Sequence, residues 1–342
     1  MKSYRVFRAI FEDRDASIGT YRLLNASRSS KMASKSAIIF HKSNPKLRFL
    51  FAILTLLILL VALERVYYLR NRGFRIGKLI SFQPTVNTPP SSEIDLMLDQ
   101  SFRYFGCGKT TFVFLGEDGK TILKLFKHHH LFYKSFLFHF PFPGYSDIWR
   151  VSKRVTYEKK EHDKRHPFFF NSCAIAFSEC KEETGLIYLC LQPNLHFNRE
   201  IKLIDAWGIP HHLNLSKTEF ALQKKTQLFF PYLEELLKQD RIGEMRVAID
   251  SLITQIVYRC KKGIGDRDPN LKINFGFLDG KVIEFDLGSY YVDPSLRSPL
   301  NAAREVFFTT SALQQWLEKH SPDLLDDFLQ QIATMITTHF DS

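Results

Sequence analysis

The sequence predicts an α+β protein in which a single transmembrane helix precedes a folded domain built from an antiparallel sheet and helices. Residues 49–63 form a predominantly apolar run of fifteen residues without a charge. Residues 101–127 alternate between apolar and polar side chains around glycine-containing turns, and residues 226–339 contain amphipathic helical stretches. With 342 residues, 45% of them hydrophobic, the chain has ample material for a core.

Positive charge is concentrated before the folded domain. Of the formal net charge of +11, residues 1–48 carry +8, residues 49–95 carry +2 and residues 96–342 carry +1. A nucleic-acid-binding domain usually concentrates basic residues in its folded body. We therefore expect no nucleic-acid partner, and we expect residues 1–47 to form a basic, flexible tail.

Residues 48–69 are predicted to form the transmembrane helix. With its flanks the helix has about 23 residues, enough to cross a hydrocarbon core of ~30 Å. Five Lys or Arg residues flank it on each side, so the positive-inside rule gives no orientation. We expect a single-pass membrane protein whose helix and basic flanks contact membrane lipid. Residues 70–97, which contain Pro84, Pro89 and Pro90, are expected to be a linker.

Residues 98–127 predict three strands joined by two turns. Gly106 and Gly108 lie in the first turn, and Gly116 to Lys120 form the second. Gly108-Lys109-Thr110 matches the end of a Walker A loop, but that loop needs a glycine where the chain has Arg103, and no helical pattern follows. The third strand carries Lys124, and a solvated hairpin with a surface lysine is the simplest interpretation of this segment alone.

A polar motif follows near residue 265. Asp266, Arg267 and Asp268 precede Asn274, and a short predicted hairpin then leads to Asp286-Leu287-Gly288. Carboxylate and amide oxygens at this spacing are ligands that Mg²⁺ prefers. The alternative is an acidic turn between two strands, in which the aspartates cap backbone groups.

Taken in order, these motifs resemble those of the protein-kinase superfamily, in particular its divergent and atypical bacterial members. The family order is a glycine loop, a strand lysine, a catalytic loop and Asp-Phe-Gly, here written Asp-Leu-Gly. The resemblance covers about residues 98–293. It implies a bilobal kinase-like domain over residues 98–342, with an N-lobe of antiparallel sheet plus helix (about 98–225) and a small helical C-lobe (about 226–342).

The resemblance also implies roles for individual residues. Gly106 and Gly108 would hold ATP, with Thr111 in place of the third glycine. Lys124 would contact the phosphates, and Glu179 is the preferred partner for this lysine among the candidates Glu158, Glu179 and Glu183.

For the reaction itself, the resemblance implies Asp268 as the catalytic residue, with Asp266 as the alternative. Asn274 and Asp286 would hold Mg²⁺, and Asn270 is the alternative to Asn274.

The expected function is a membrane-anchored, ATP-dependent phosphotransferase with an unknown phosphate acceptor. Its domain would face an ATP-containing compartment, on the cytoplasmic side of the membrane. Three departures favour a catalytically inactive, pseudokinase-like binding module instead: no histidine precedes Arg267, Thr111 replaces the third glycine, and Asn274 follows Asp268 by six residues rather than the usual five. An unrelated membrane interaction protein is the third possibility.

Overall fold

The computed structural model describes residues 45–81, 87–128 and 167–340, and it has the mixed α+β class that the sequence predicts. The chain divides into two compact units, residues 1–69 and residues 70–342. The predicted basic tail lies outside the described residues.

Helix α1 (Pro45–Arg70) dominates the described part of the first unit. None of its residues is buried, and an 18-residue window has a mean hydropathy of 2.5. By length and composition, this helix is long and apolar enough to cross a membrane. The prediction of a candidate spanning helix is confirmed to that extent.

A seven-stranded sheet forms the first half of the second unit, in the order β4-β7-β3-β2-β1-β5-β6. Its neighbours pair antiparallel except β1 and β5, which are parallel. The strands are β1 (Phe102–Cys107), β2 (Thr111–Gly116), β3 (Thr121–Phe126), β4 (Leu186–Cys190), β5 (Glu200–Ile204), β6 (Pro210–Asn214) and β7 (Phe220–Lys224). The sequence prediction of strands β1–β3 is confirmed.

The turn between β2 and β3 is fixed by Asp118. Its carboxylate accepts the backbone N–H groups of Lys120 and Thr121 at 2.8 and 2.9 Å. These hydrogen bonds and a left-handed Gly119 (φ +68°) set the register in which Val113 pairs with Lys124. The turn therefore determines which residue of β3 lies beside the glycine-containing turn.

The predicted linker over residues 70–97 differs from the structure. Phe74, Leu79, Ile94 and Leu98 are buried in the core that covers one face of the seven-stranded sheet. Phe74 makes edge contacts with the rings of Phe112 and Phe114, with centroids 5.2 and 5.3 Å away. The compact unit therefore begins at Arg70 rather than at residue 98. Helix α2 (Ser92–Leu98) belongs to it.

A helical core forms the second half of this unit. It contains α4 (Phe229–Lys238), α5 (Ile242–Lys261), α6 (Pro299–His320) and α7 (Pro322–Phe340). Two small sheets lie against these helices, with the strands β8 (Gln227–Leu228), β9 (Ile264–Asp266), β10 (Phe275–Leu278), β11 (Lys281–Glu284) and β12 (Tyr290–Val292). The sequence predicted amphipathic helices within residues 226–339 and the hairpin β10–β11.

Helix α3 (167–179) joins the two halves. Its buried residues Cys173 and Ala176 pack in one cluster with Phe126 and Ala221 of the seven-stranded sheet. Leu287 and Tyr290, the latter at the start of β12, belong to the same cluster. The end of β3 and the Asp286-Leu287-Gly288 segment therefore share one apolar environment.

The burial of Phe74 leads to a stability prediction for the segment that the sequence describes as a linker. We expect Phe74→Ala to lower the free energy of unfolding by about 3–5 kcal/mol, because a buried aromatic ring is lost and a cavity is left. Phe308→Ala is the matched control, since Phe308 is 63% exposed and its loss costs about 0.5 kcal/mol or less. Denaturant unfolding of the full chain in detergent measures both variants. Equal effects would mean that Phe74 is peripheral.

Candidate functional site

The glycine-containing turn between β1 and β2 is closed by its own backbone. The N–H of Gly108 donates to the carbonyl of Thr111 at 3.0 Å. Neither Gly106 nor Gly108 has a positive φ, and a Cβ added to Gly106 would meet nothing within 4 Å. The fold therefore does not require glycine at Gly106, which faces open space, whereas a Cβ at Gly108 would lie 3.4 Å from Thr111 Oγ1.

Lys124 reaches from β3 to the segment that carries Asp286. Its ammonium donates to the carbonyl of Phe285 at 2.5 Å and lies 5.5 Å from the Phe285 ring centroid. Burial lowers the pKa of Lys124, while the charge of Asp286 opposes that shift. The structure thus brings together two predicted site residues that are 162 positions apart in the sequence.

A chain of hydrogen bonds continues from Phe285 to the predicted catalytic loop. The N–H of Phe285 donates to the carbonyl of Asn274 at 2.9 Å, and Asn274 Nδ2 donates to the carbonyl of Asp268 at 2.8 Å. The N–H of Asp268 donates in turn to Asp266 Oδ1 at 2.9 Å. Lys124, Asn274, Asp268 and Asp266 are therefore linked, and Asp286 adjoins the first link.

The two candidate catalytic aspartates occupy different environments. Asp266 is 4% exposed, and its carboxylate is engaged with the Asp268 N–H and lies near Arg259. Asp268 is exposed at the surface of the loop. Of the two carboxylates, only that of Asp268 is accessible to a substrate from solvent.

The candidate metal ligands are Asn274 and Asp286. Asn274 is 5% exposed, and its side-chain amide is oriented by the hydrogen bond to Asp268. Asp286 is half-buried, and its Oδ1 accepts the N–H of Gly288 at 3.3 Å. Within the described ranges, no group of three or more His, Cys, Asp or Glu side chains could hold a metal ion. One carboxylate and one amide suit Mg²⁺ where substrate phosphates complete its octahedron.

Glu179, the predicted partner of Lys124, lies elsewhere. Its side chain is exposed at the end of helix α3, and its backbone carbonyl accepts a hydrogen bond from Lys262. Helix α3 instead presents Cys173 to Lys124, and burial raises the pKa of this thiol to about 12. The carbonyl of Glu183 accepts the N–H of Glu284, and Glu158 lies outside the described residues.

Helix α3 also holds the segment after Asp286 in place. Ser172 Oγ donates to the carbonyl of Leu287 at 2.6 Å and accepts the N–H of Tyr290 at 2.7 Å. A Cβ at Gly288 would lie 3.0 Å from the Phe169 ring, so a larger residue would force that ring to shift by a few tenths of an ångström and close packing favours glycine there. The glycine of Asp-Leu-Gly therefore has a structural reason that is independent of any ligand.

A buried charge cluster around Arg259 includes Asp266, at the start of the predicted catalytic loop. Arg259 Nη1 donates to the two carboxylate oxygens of Glu284 at 3.1 and 3.2 Å, and Nη2 donates to Glu305 Oε1 at 2.9 Å. Asp266 Oδ2 lies 3.8 Å from Nη1. Burial alone would lower the pKa of Arg259, but Glu284 and Asp266 more than offset it and raise this pKa. Burial raises the pKa of Glu284 well above its usual value and also raises that of Glu305.

Sequence reasoning did not find Arg259, Ser172 or Cys173. Arg259 occurs near the basic end of an amphipathic helix, where a solvated arginine is the ordinary expectation. Ser172 and Cys173 share their buried face with Ala176 at helical spacing, and this pattern was a usable signal for the inward face of α3.

Comparisons with known proteins do not show which family the chain belongs to. No protein-family model matches it, and no curated protein matches it. Among solved structures it is similar to Rv3197 of Mycobacterium tuberculosis, solved in complex with erythromycin, with 14% identity and a TM-score of 0.27. This similarity covers 65% of the chain, which spans 60% of that protein. At this TM-score, fold and function must be argued from the chain's own geometry.

The Arg259 cluster predicts a large loss of stability on removal of its guanidinium. We expect Arg259→Met to reduce the free energy of unfolding by about 3–5 kcal/mol, because Glu284 and Glu305 would then be buried without their cation. Arg246→Met on the same helix is the matched control. Its exposed pair with Asp327 is worth about 0–1 kcal/mol. A loss as small as that of the control would mean that the carboxyl groups do not depend on Arg259.

Proposed function

We propose that the chain is a membrane-anchored, ATP-dependent phosphotransferase with a divergent, bilobal kinase-like domain. The single observation that carries the proposal is the contact of Lys124 with the Phe285 carbonyl beside Asp286, because a phosphate-binding lysine must lie next to a metal-binding carboxylate. The acceptor is unknown. Helix α1 would be the anchor, and the domain would lie on the cytoplasmic side, where ATP is present.

Nucleotide would be held from two sides. On the sheet side, Gly106 offers backbone beside open space, Gly108 lies next to the Thr111 side chain, and Lys124 offers a half-buried ammonium. On the loop side, Asp286 and Asn274 offer the hard oxygen atoms that Mg²⁺ prefers. Bound Mg²⁺ would supply charge neutralisation for the phosphates.

Asp268 is the better candidate for the catalytic residue. Its exposed carboxylate can accept the proton of an acceptor hydroxyl, and the Asn274 amide fixes the loop backbone that carries it. Asp266 is a positioning residue in this proposal, since its buried carboxylate holds the Asp268 N–H.

A nucleotide-binding module without phosphoryl transfer is the second candidate. The observation that favours it is that helix α3 presents Cys173, rather than a carboxylate, to Lys124. In active kinases a glutamate from a helix pairs with the strand lysine. The two candidates share nucleotide binding and differ only in transfer, so two separate measurements distinguish them.

Nucleotide binding is tested by thermal unfolding of the full chain in detergent. We expect Mg·ATP at about 100 times its Kd to stabilise the wild type by about 2.7 kcal/mol, a shift of several degrees. Lys124→Met and Asp286→Asn should abolish this shift, because each removes one side of the proposed site. Lys120→Met and Asp326→Asn, both at exposed positions, should retain it. A folded wild type that shows no shift would falsify both candidates.

Phosphoryl transfer is tested with ATP labelled at the γ-phosphate. We expect Asp268→Asn to lower transfer to protein or water by about 10²-fold or more, because general-base assistance is lost, while the Mg·ATP thermal shift persists. Asp323→Asn, at an exposed position of α7, is the control. Wild-type binding without detectable transfer would establish the inactive module, and full activity in Asp268→Asn would exclude Asp268 from the reaction.

A further inference from the structure

The turn of the hairpin β5–β6 is apolar and exposed. It contains Trp207, Gly208, Ile209 and Pro210, and the side chains of Trp207 and Ile209 are each 45% exposed. Turns that face water are normally built from small or polar residues. Two large apolar side chains at one exposed turn therefore indicate a contact surface.

Buried hydrogen bonds fix the conformation of this turn. The side chain of Asp205 is fully buried, and its Oδ1 accepts the N–H groups of Trp207 and Ile209 at 2.8 and 3.0 Å. Asp205 Oδ2 lies 2.9 Å from His211 Nε2. Gly208 has a left-handed backbone (φ +82°), which favours glycine at this position. The turn therefore holds Trp207 and Ile209 at the surface before any partner binds.

The same turn is tied to the residues at which helix α1 ends. Arg70 is the last residue of α1 and the first residue of the second compact unit. Its guanidinium carbon lies over the Trp207 ring, 5.1 Å from the centroid. Asn71 is fully buried, its Oδ1 accepts the N–H of Ala206 at 3.0 Å, and its Nδ2 donates to Asp205 Oδ2 at 3.3 Å. The position of Arg70 therefore determines where the turn lies.

The length of α1 places Arg70 at the depth of the lipid headgroups. The apolar run of residues 49–63 is centred on Leu56, and Arg70 follows this centre by about 14 residues, or about 21 Å of helix. Half of the hydrocarbon core is about 15 Å thick, and each headgroup layer adds about 5–7 Å. With the run centred in the bilayer, Arg70 lies about 6 Å beyond the hydrocarbon, among the lipid phosphates. Trp207, beneath the Arg70 guanidinium, then lies at the level where aromatic belts occur.

We propose that the turn of hairpin β5–β6 inserts into the headgroup region of the phospholipid bilayer that α1 crosses. Trp207 and Ile209 enter the boundary between headgroups and acyl chains, and Arg70 binds lipid phosphate. The exposed Arg72 and Arg75 add positive charge beside this contact. This second membrane contact depends on the membrane anchor of the proposed function, but it does not depend on nucleotide binding.

The lipid contact lies away from the proposed nucleotide site. Strand β6 is one edge of the seven-stranded sheet, and β3, which carries Lys124, is the fourth strand from it. At the usual strand spacing this separation is about 19 Å. Lipid at the turn therefore leaves the surroundings of Lys124 uncovered.

The test measures tryptophan fluorescence of the full chain reconstituted in phosphatidylcholine vesicles whose acyl chains carry bromine close to the headgroup. Trp149→Phe with Trp316→Phe leaves Trp207 as the only tryptophan, and Trp149→Phe with Trp207→Phe leaves Trp316. We expect bromine to weaken the emission of Trp207 about twofold or more, because its ring lies at the boundary between headgroups and acyl chains. The emission of Trp316, which packs against Phe230 in the helical core, should not change.

Two further variants keep the core intact. Trp207→Phe in the otherwise unchanged chain should remove the quenching that Trp207 accounts for. In the chain with Trp207 alone, Ile209→Asp should restore the emission, because a carboxylate at the turn opposes entry into the bilayer. Phe308→Asp is the matched control, since Phe308 is 63% exposed on α6, and it should leave the quenching unchanged.

Extraction with alkaline carbonate separates failure of the lipid contact from failure of the anchor. A chain that stays in the vesicles while Trp207 is unquenched would overturn the lipid contact and leave the anchor in place. A chain that carbonate releases would overturn the anchor and the lipid contact together. Equal quenching of Trp207 and Trp316 would also overturn the lipid contact, because the quenching would then not be specific to the turn.

Discussion

The interaction on which the candidate site depends is the buried contact of Arg259 with three carboxyl groups. Glu284 comes from β11, Asp266 from β9 and Glu305 from α6, so one guanidinium ties three elements to α5. Such a cluster is costly to desolvate and is stable only if its geometry satisfies every member. Burial raises the pKa of Glu284 and Glu305, while the charge of Arg259 opposes both shifts.

The cluster positions the site because both polar loops begin at its members. Asp266 holds the N–H of Asp268, and Glu284 is followed directly by Phe285 and Asp286. The carbonyl of Phe285 then receives both Lys124 and the amide of Gln223, the latter at 3.2 Å. One buried cation therefore fixes the starting points of two loops, and β3 and β7 of the seven-stranded sheet contact the second of them. A site assembled from distant segments needs a common origin of this kind.

The sequence predicted which segments form helices and strands better than it predicted which of their side chains face the core. Strands β1–β3 could be predicted because the alternation of apolar and polar residues and the Asp118-Gly119 turn are local signals. The burial of Phe74 in the core could not be predicted, because the prolines and serines that follow it suggest a linker. The ring is buried because one face of the seven-stranded sheet would otherwise be uncovered. The charge of Glu179 favoured it as the predicted partner of Lys124, but helix α3 packs on the sheet with Cys173 facing inward. The packing of Ala176 against Phe126 sets this orientation of the helix about its axis.

Lys124 shows why an anionic ligand would complete the proposed site. Burial lowers the pKa of Lys124 in the folded chain below its value in the unfolded chain. At a pH between these two pKa values the unfolded chain binds more protons than the folded chain. The contribution of Lys124 to the free energy of unfolding therefore increases as the pH rises through that interval. Phosphate oxygens at the ammonium would raise the pKa again, and nucleotide binding would then take up a proton in the same interval. This coupling belongs to binding alone and is common to an active kinase and an inactive module. The chemistry that separates them begins at the exposed carboxylate of Asp268.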